Sequence, residues 1–186
     1  MGNKIEVEFK FELFNSDKLI IKLNQIADFK GEESQKDTYY NAPHRNFLSV
    51  SPIKEWLRIR ETNGKTKVNY KNFHHTSEYN AVSCDEFETN VEDKEVIKRI
   101  FESLNFSEMI VLEKVRKNWE YKNVIISVDE VRGLGSFIEV EAGDGFESIE
   151  DAKKQLQIVI KEIGAEVGNQ LFKGYPHLLM EKNGLK

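Results

Sequence analysis

The amino-acid sequence predicts an α+β fold in which amphipathic helices pack on a strand-rich sheet. Short runs of alternating apolar and polar residues recur along the chain, as in IEVEFKF at residues 5–11. A period of two is typical of half-buried strands. Three longer segments have apolar residues at helical spacing instead. Asn63-Gly64 separates WLRIRE from KTKVNYK, and Asn-Gly between two alternating runs is the strongest short signal for a β-hairpin.

The three helical segments have recognisable ends. They are predicted at about residues 17–29, 92–104 and 149–163. Ser16 or Asp17 can cap the first, since side-chain oxygens at this position accept backbone N–H groups that the helix leaves unpaired. Ser148 opens the third with Asp151 three residues later, and Gly164 marks its end.

The remaining alternating runs predict eight strands. They cover residues 5–11, 37–41, 55–61, 66–72, 82–89, 110–120, 123–131 and 136–142. Lys122-Asn123 separates two of them in the manner of a second hairpin. Residues 72–83 are predicted to form a mobile loop, and the last residues are predicted to be frayed. Because neither a linker nor a low-complexity tract interrupts the chain, we expect one domain over residues 1–186.

Composition excludes several classes of protein. The 186 residues carry a formal charge of −5, which argues against diffuse binding to nucleic acid. No apolar run approaches the length of a membrane span, and no signal-peptide pattern is present. The single cysteine, Cys84, excludes an internal disulfide framework. We therefore expect a soluble cytoplasmic protein.

Charged residues concentrate on one face of many predicted strands. Any one such face can be a solvated surface of an antiparallel sheet. Taken together the faces carry almost only acids and bases. If the sheet curls into a barrel, the apolar faces can pack outward against the helices and the charged faces line a wet interior. The acids are Glu6, Glu8, Glu86, Glu88, Asp129, Glu139 and Glu141, and the bases are Lys10, Arg58, Arg60, Lys67, Lys71, Lys114 and Arg116.

These charges suggest one kind of ligand. Clustered carboxylates repel one another unless a cation lies among them, and hard oxygen ligands suit Mg²⁺ or Mn²⁺. Clustered bases require an anion, and a polyphosphate is a dense one. A metal-bound triphosphate satisfies both sets, whereas an empty interior of unpaired charges is costly.

Four motifs in order resemble the CYTH superfamily, the triphosphate tunnel metalloenzymes. They are ExExK at Glu6–Lys10, the LRIR run followed by a lysine-bearing strand, KVRK around Lys114, and LGSFIEVEA near Glu139. The segments DTYYNAPHRNF and GYPHLL are most similar to the class IV adenylate cyclase-like branch. The resemblance spans nearly the whole chain.

The resemblance implies a closed eight-stranded antiparallel tunnel with helices on the outside, and it implies roles for residues. Metal binding by Glu6, Glu8, Asp129, Glu139 and Glu141 is implied, as is triphosphate binding by Lys10, Arg58, Arg60, Lys71, Lys114 and Arg116. The implied catalytic set is Glu6, Glu8, Lys10, Arg58, Arg60, Lys114 and Arg116. The roles of Lys67, Glu86 and Glu88 are less defined. By analogy with members of that family, the resemblance also implies a homodimer.

The sequence leaves the reaction open. Lys71 is followed by Asn72-Phe73 where family members often have Gly-Pro, and Cys84-Asp85 stands where an arginine is often found. One hypothesis is cyclisation of ATP to cyclic AMP and pyrophosphate. A second is hydrolysis of tripolyphosphate, thiamine triphosphate or a nucleotide. A third is a non-catalytic module that binds polyphosphate or nucleotide.

Overall fold

The computed structural model describes residues 7–77 and 80–185. In these ranges the chain forms nine strands, four α-helices and a short 3-10 helix at Phe47–Ser49. In chain order they are β1 (Glu8–Phe14), α1 (Ser16–Ile26), β2 (Asp28–Asn41), β3 (Glu55–Thr62), β4 (Lys65–Ser77), β5 (Asn80–Val91), α2 (Lys94–Ser103), β6 (Ser107–Tyr121), β7 (Val124–Val131), β8 (Gly135–Ala142), α3 (Ile149–Ile163), β9 (Glu166–Gln170) and α4 (Tyr175–Lys182).

The strands form one antiparallel sheet, and the predicted α+β class is confirmed. Their order is β5-β4-β3-β2-β6-β7-β8-β1-β9. The sheet has nine strands where eight were predicted. Within the described ranges no hydrogen-bonded ladder joins its two ends, so the closed eight-stranded barrel is not confirmed.

The chain divides into two compact units. Among the described residues, the first comprises 34–77, 80–113 and 173–185, and the second comprises 7–33 and 114–172. The long strands β2 and β6 each contribute residues to both units. The prediction of a single domain stays a prediction.

The core of the first unit lies between β2–β4 and α2. Tyr40, Ile59 and Phe101 are buried there, and Leu57 and Val68 pack against them. The Tyr40 and Phe101 rings meet edge to face at 5.0 Å. Asp93 caps α2 by accepting from the Glu95 and Val96 backbone N–H groups. The apolar face of these strands therefore points toward the helix, as predicted.

The second unit has the larger apolar core, between its strands and the helices α1 and α3. Trp119 is fully buried in it, and Trp119 Nε1 donates to Asn24 Oδ1 at 2.9 Å. The predicted Ser148 caps α3, since its Oγ accepts from the Asp151 N–H. The other buried members are Leu13, Leu19, Leu23, Val124, Ile126, Val128, Ile138, Val140, Ala142, Ala152, Leu156, Val159 and Ile163.

Both predicted hairpins are present. Asn63 and Gly64 have φ of 47° and 79°, and Lys122 and Asn123 have φ of 49° and 62°. Two consecutive residues with positive φ match the twist of the strands that they connect.

The structure corrects several predicted boundaries. The first helix ends at Ile26 and not at Phe29, because Phe29 already belongs to β2. The Phe29 and Trp119 rings pack with their centroids 5.3 Å apart. The loop predicted at residues 72–83 is wrong, since β4 and β5 pair as far as Ser77 and Asn80. Toward the C-terminal end, the structure adds β9 and α4, which the sequence analysis did not predict. No helix among the described residues is long and apolar enough to cross a membrane.

The second-unit core should respond sharply to truncation at Leu156. This side chain is 0% exposed, whereas Ile158 on the same helix is 49% exposed. We expect Leu156→Ala to lower the free energy of unfolding by about 2–5 kcal/mol, and Ile158→Ala by about 0.5 kcal/mol or less. Urea unfolding followed by circular dichroism measures both, and equal losses would contradict this placement of the core.

Candidate active site

β3 presents two arginines on one face and its apolar residues on the other. The Arg58 and Arg60 side chains are 14% and 21% exposed. Ile59 between them is buried in the first-unit core. Because side chains alternate along a strand, burial of Ile59 directs both guanidinium groups to the opposite face. The parity that the sequence predicted for this strand is confirmed.

Asp37 of β2 binds both arginines. It lies directly opposite Arg60 in the β2–β3 ladder, and its side chain is 1% exposed. Asp37 Oδ1 accepts from Arg60 Nε at 2.7 Å, and Oδ2 accepts from Arg60 Nη2 at 2.6 Å. Oδ2 also accepts from Arg58 Nη1 at 3.1 Å. Such paired charge-assisted bonds fix the plane of a guanidinium group.

Tyr39 completes this arrangement. Its hydroxyl accepts from Arg58 Nη1 at 3.3 Å, and burial raises the pKa of Tyr39, so the phenol stays protonated. Burial alone lowers the pKa of Arg58, but Tyr39 and Asp37 outweigh it and the net shift is upward. Arg58 Nε is buried and has no hydrogen-bond partner among the described residues. A buried N–H donor without an acceptor is costly, so this one is suited to an incoming anion.

β4 and β5 carry the remaining predicted charges of the first unit. Glu86 accepts from Asn69 Nδ2 at 2.7 Å and pairs with Lys71 Nζ at 3.1 Å. Burial raises the pKa of Glu86, but Lys71 and Asn69 outweigh burial. The net pKa is therefore below its ordinary value, and the carboxylate is ionised. Lys67 and Glu88 form a more exposed pair at 2.6 Å. The structure therefore places the predicted acids Glu86 and Glu88 beside lysines.

A similar arrangement occurs in the second unit. Asp129 of β7 lies directly opposite Arg116 of β6, and its side chain is 0% exposed. Asp129 Oδ1 accepts from Arg116 Nε at 2.7 Å, and Oδ2 accepts from Arg116 Nη2 at 2.6 Å. Oδ2 also accepts from Lys114 Nζ at 3.0 Å. Burial, and then the Arg116 charge, lowers the pKa of Lys114 to about 8.

Glu139 of β8 connects this pair to Lys10 of β1. Glu139 Oε1 lies 2.9 Å from Lys10 Nζ, and Oε2 accepts from Arg116 Nη2. Burial raises the pKa of Glu139, but the Lys10, Arg116 and Lys114 charges outweigh burial and hold the pKa well below its usual range. The carboxylate is therefore ionised across the physiological pH range.

Glu8 and Glu141 form a pair of like charges in the same ladder. They lie directly opposite each other on β1 and β8, two residues along the ladder from the Lys10–Glu139 pair. Like charges at facing positions destabilise a sheet. Carboxylate oxygens are also the ligands that Mg²⁺ and Mn²⁺ prefer. The donor set at this point of the second unit therefore fits a divalent cation.

The structure describes all of the predicted metal ligands except one. Glu6 lies outside the described residues. Among residues 7–77 and 80–185, no three acidic, histidine or cysteine side chains converge closely enough to hold a metal ion by themselves. The predicted metal-binding roles of Glu6, Glu8, Asp129, Glu139 and Glu141 stay predictions.

The predicted site residues thus fall into two sets, one in each unit. The first contains Arg58, Arg60, Lys67, Lys71, Glu86 and Glu88, and the second contains Glu8, Lys10, Lys114, Arg116, Asp129, Glu139 and Glu141. The sequence analysis missed Asp37, Tyr39 and Asn69 as members of the first set. Strand parity places Asp37 and Tyr39 on one face of β2, but they face the arginines only because β2 and β3 pair in the observed register, which the sequence analysis did not establish.

The match to a family model settles the class of protein. Residues 4–175 match the CYTH domain, and the chain belongs to this family. The match covers the strands that carry both residue sets.

Individual relatives extend the comparison. The chain is 29% identical over 178 residues to a candidate adenylate cyclase of Methanocaldococcus jannaschii, covering 94% of this chain and 98% of the relative. A solved Pyrococcus horikoshii protein is 29% identical with a TM-score of 0.75, over 96% of this chain and 99% of that one. A candidate adenylyl cyclase from Hippeastrum, described as having a dominant triphosphatase activity, is 17% identical with a TM-score of 0.63, over 97% of this chain and 96% of that one. This last likeness extends to the fold alone.

We expect Lys114 to make the binding of a phosphate chain at this site dependent on pH. Because its pKa is lowered to about 8, the ammonium group loses its proton well below the range of an exposed lysine. We expect the affinity for tripolyphosphate to fall in a distinct step as the pH rises through about 8, because Lys114 loses its positive charge there. Glu139 does not contribute there, since its pKa is shifted in the acidic direction. Isothermal titration calorimetry at a series of pH values measures the step.

Two variants test the assignment of this step. Lys114→Met should lack it, whereas Lys154→Met should keep it, because the Lys154 side chain is 72% exposed on α3. A step near pH 8 that persists in Lys114→Met would contradict the assignment.

Proposed function

We propose that the protein is a divalent-metal-dependent enzyme that acts on a triphosphate, with ATP cyclisation to cyclic AMP and pyrophosphate as its reaction. The observation that carries the proposal is the coexistence, in the second unit, of a buried basic pair and a facing pair of glutamates. The basic pair suits phosphate, and the glutamates suit a cation. The M. jannaschii relative, named as a candidate adenylate cyclase, supports the cyclase reaction.

The basic residues would bind the phosphate chain. Arg58 and Arg60 offer guanidinium groups that are already fixed by Asp37. Buried N–H donors of this kind need no reorganisation when charge develops on a leaving pyrophosphate. Each such donor contributes about 2–4 kcal/mol to transition-state stabilisation in other enzymes. Lys71 in the same unit, and Lys10, Lys114 and Arg116 in the second unit, are the other phosphate-binding residues of this proposal.

Glu8 and Glu141, with Glu139 and the predicted Glu6, would hold Mg²⁺ or Mn²⁺. When bound, the cation would neutralise phosphate oxygens and lower the barrier to attack on phosphorus. Glu139 is shared with Lys10 and Arg116, so it would connect the cation to the basic residues. The closed eight-stranded tunnel, a homodimer and a cytoplasmic location belong to this proposal as well.

Hydrolysis is the second candidate. The charged residues of both units supply carboxylates, ammonium groups and guanidinium groups, and this chemistry recognises phosphate and not a nucleobase. The same residues would serve a water molecule that attacks the terminal phosphorus of tripolyphosphate or thiamine triphosphate. A non-catalytic module would bind the same ligands without turnover.

Product analysis separates these candidates. Purified protein is incubated with ATP, tripolyphosphate or thiamine triphosphate in the presence of Mn²⁺ or Mg²⁺, and the products are resolved by ion-exchange chromatography. We expect cyclic AMP and pyrophosphate from ATP. Release of orthophosphate from any of these substrates would identify a triphosphatase instead, and binding without a product would identify a binding module.

Removal of the carboxylates of β8 tests the metal assignment. We expect Glu139→Gln combined with Glu141→Gln to lower metal-dependent turnover by at least about 100-fold, as loss of a group that acts in the transition state does. Glu150→Gln is the control, because the Glu150 side chain is 73% exposed on α3. Full metal-dependent turnover in the double variant would contradict the assignment.

A further inference from the structure

We infer that Asp37 and Asp129 are matched positioning residues, each of which fixes a basic pair of its own unit for binding phosphate, and that Asp129 serves Arg116 and not a metal ion. The inference rests on the proposed function and deepens it. It also departs from the sequence analysis, which assigned Asp129 to the metal and did not select Asp37.

The two aspartates make the same contacts. In both ladders the aspartate lies directly opposite an arginine, Arg60 for Asp37 and Arg116 for Asp129. In both, Oδ1 accepts from Nε at 2.7 Å and Oδ2 accepts from Nη2 at 2.6 Å. The basic residue two positions earlier on the arginine strand then donates to the same Oδ2, at 3.1 Å from Arg58 and 3.0 Å from Lys114.

Burial makes these contacts obligatory. Asp37 is 1% exposed and Asp129 is 0% exposed, and a buried carboxylate is tolerated only when it is paired and hydrogen-bonded. Each fork uses two of the five N–H donors of its arginine. The guanidinium plane is thereby fixed while further donors remain directed away from the aspartate, and a fixed donor loses less entropy when it binds an anion.

The surroundings of Asp129 are unsuited to a divalent cation. Both of its oxygens already accept from cationic groups. Arg116 donates to Oδ1 and to Oδ2, and Lys114 donates to Oδ2. A divalent ion bound there would lie close to two positive charges, or would displace them. Glu8 and Glu141 face each other as like charges, so a cation is favoured at that position and disfavoured at Asp129.

Separate measurements of Mn²⁺ and tripolyphosphate binding test the inference. Affinity for Mn²⁺ alone is measured by electron paramagnetic resonance, and affinity for tripolyphosphate is measured by calorimetry on the full chain. We expect Asp129→Asn and Asp37→Asn to weaken tripolyphosphate binding by about 10- to 100-fold, the loss typical of residues that orient a binding group. Both variants should keep the Mn²⁺ affinity of the unaltered protein within about two-fold, whereas Glu141→Gln should weaken it by about 10-fold or more.

Further variants separate positioning from folding. Arg116→Lys keeps the charge but loses the two-bond fork, so it should reproduce the Asp129→Asn result even if that variant folds poorly. Asp28→Asn is the control for charge removal, because Asp28 is exposed at the start of β2. A variant that has merely unfolded loses Mn²⁺ and tripolyphosphate binding together, which positioning does not predict.

The outcomes distinguish this inference from the proposed function. If the unaltered protein binds no tripolyphosphate with or without Mn²⁺, the proposed function itself is overturned. If it binds tripolyphosphate and Asp129→Asn loses Mn²⁺ affinity as far as Glu141→Gln does, Asp129 is a metal ligand and the inference is overturned. Unchanged tripolyphosphate binding in both aspartate variants and in Arg116→Lys would overturn it as well.

Discussion

The buried pairing of an aspartate with the arginine directly opposite is the interaction on which the charged faces depend. Without Asp37, two neighbouring guanidinium groups that are largely removed from water would lose the carboxylate that they share, and breaking a buried ion pair of this kind costs roughly 3–5 kcal/mol. Asp129 has the same function for Lys114 and Arg116. Each aspartate therefore stabilises a concentration of positive charge that the strands alone could not hold.

The apolar faces make this pairing possible. In the first unit, Ile59 and Tyr40 pack with Phe101 of α2, and this packing fixes how β2 pairs with β3. A slip of one residue would turn Asp37 toward the apolar core and leave Arg60 without its partner. In the second unit, Ile126, Val128 and Ile138 act in the same way for Asp129. Helix packing on one side of the sheet thus determines the electrostatics of the other side.

Strand parity in the sequence was enough to predict the charged faces and their residues, from Arg58 and Arg60 to Glu139. The pairing of these residues was not predictable, because it depends on the register between strands that alternation within one strand does not contain. β2 was predicted too short, since residues 28–36 are mostly polar and do not alternate. The mostly polar residues 72–77 were predicted as a loop, yet they form strand because β5 continues to pair with them. β9 is five residues long and has only one large apolar residue, Val167, which is too weak a pattern to predict a strand.

The central claim is that the glutamates of β1 and β8 hold the metal while the buried aspartates hold the basic residues. The most direct test is a crystal structure with Mn²⁺ and a non-hydrolysable ATP analogue, in which anomalous scattering locates the ion. The account predicts Mn²⁺ bound directly to carboxylate oxygens of Glu8 or Glu141, with Asp129 still bonded to Arg116 and phosphate oxygens on the arginines. Mn²⁺ bound directly to Asp129, with Arg116 displaced, would contradict it.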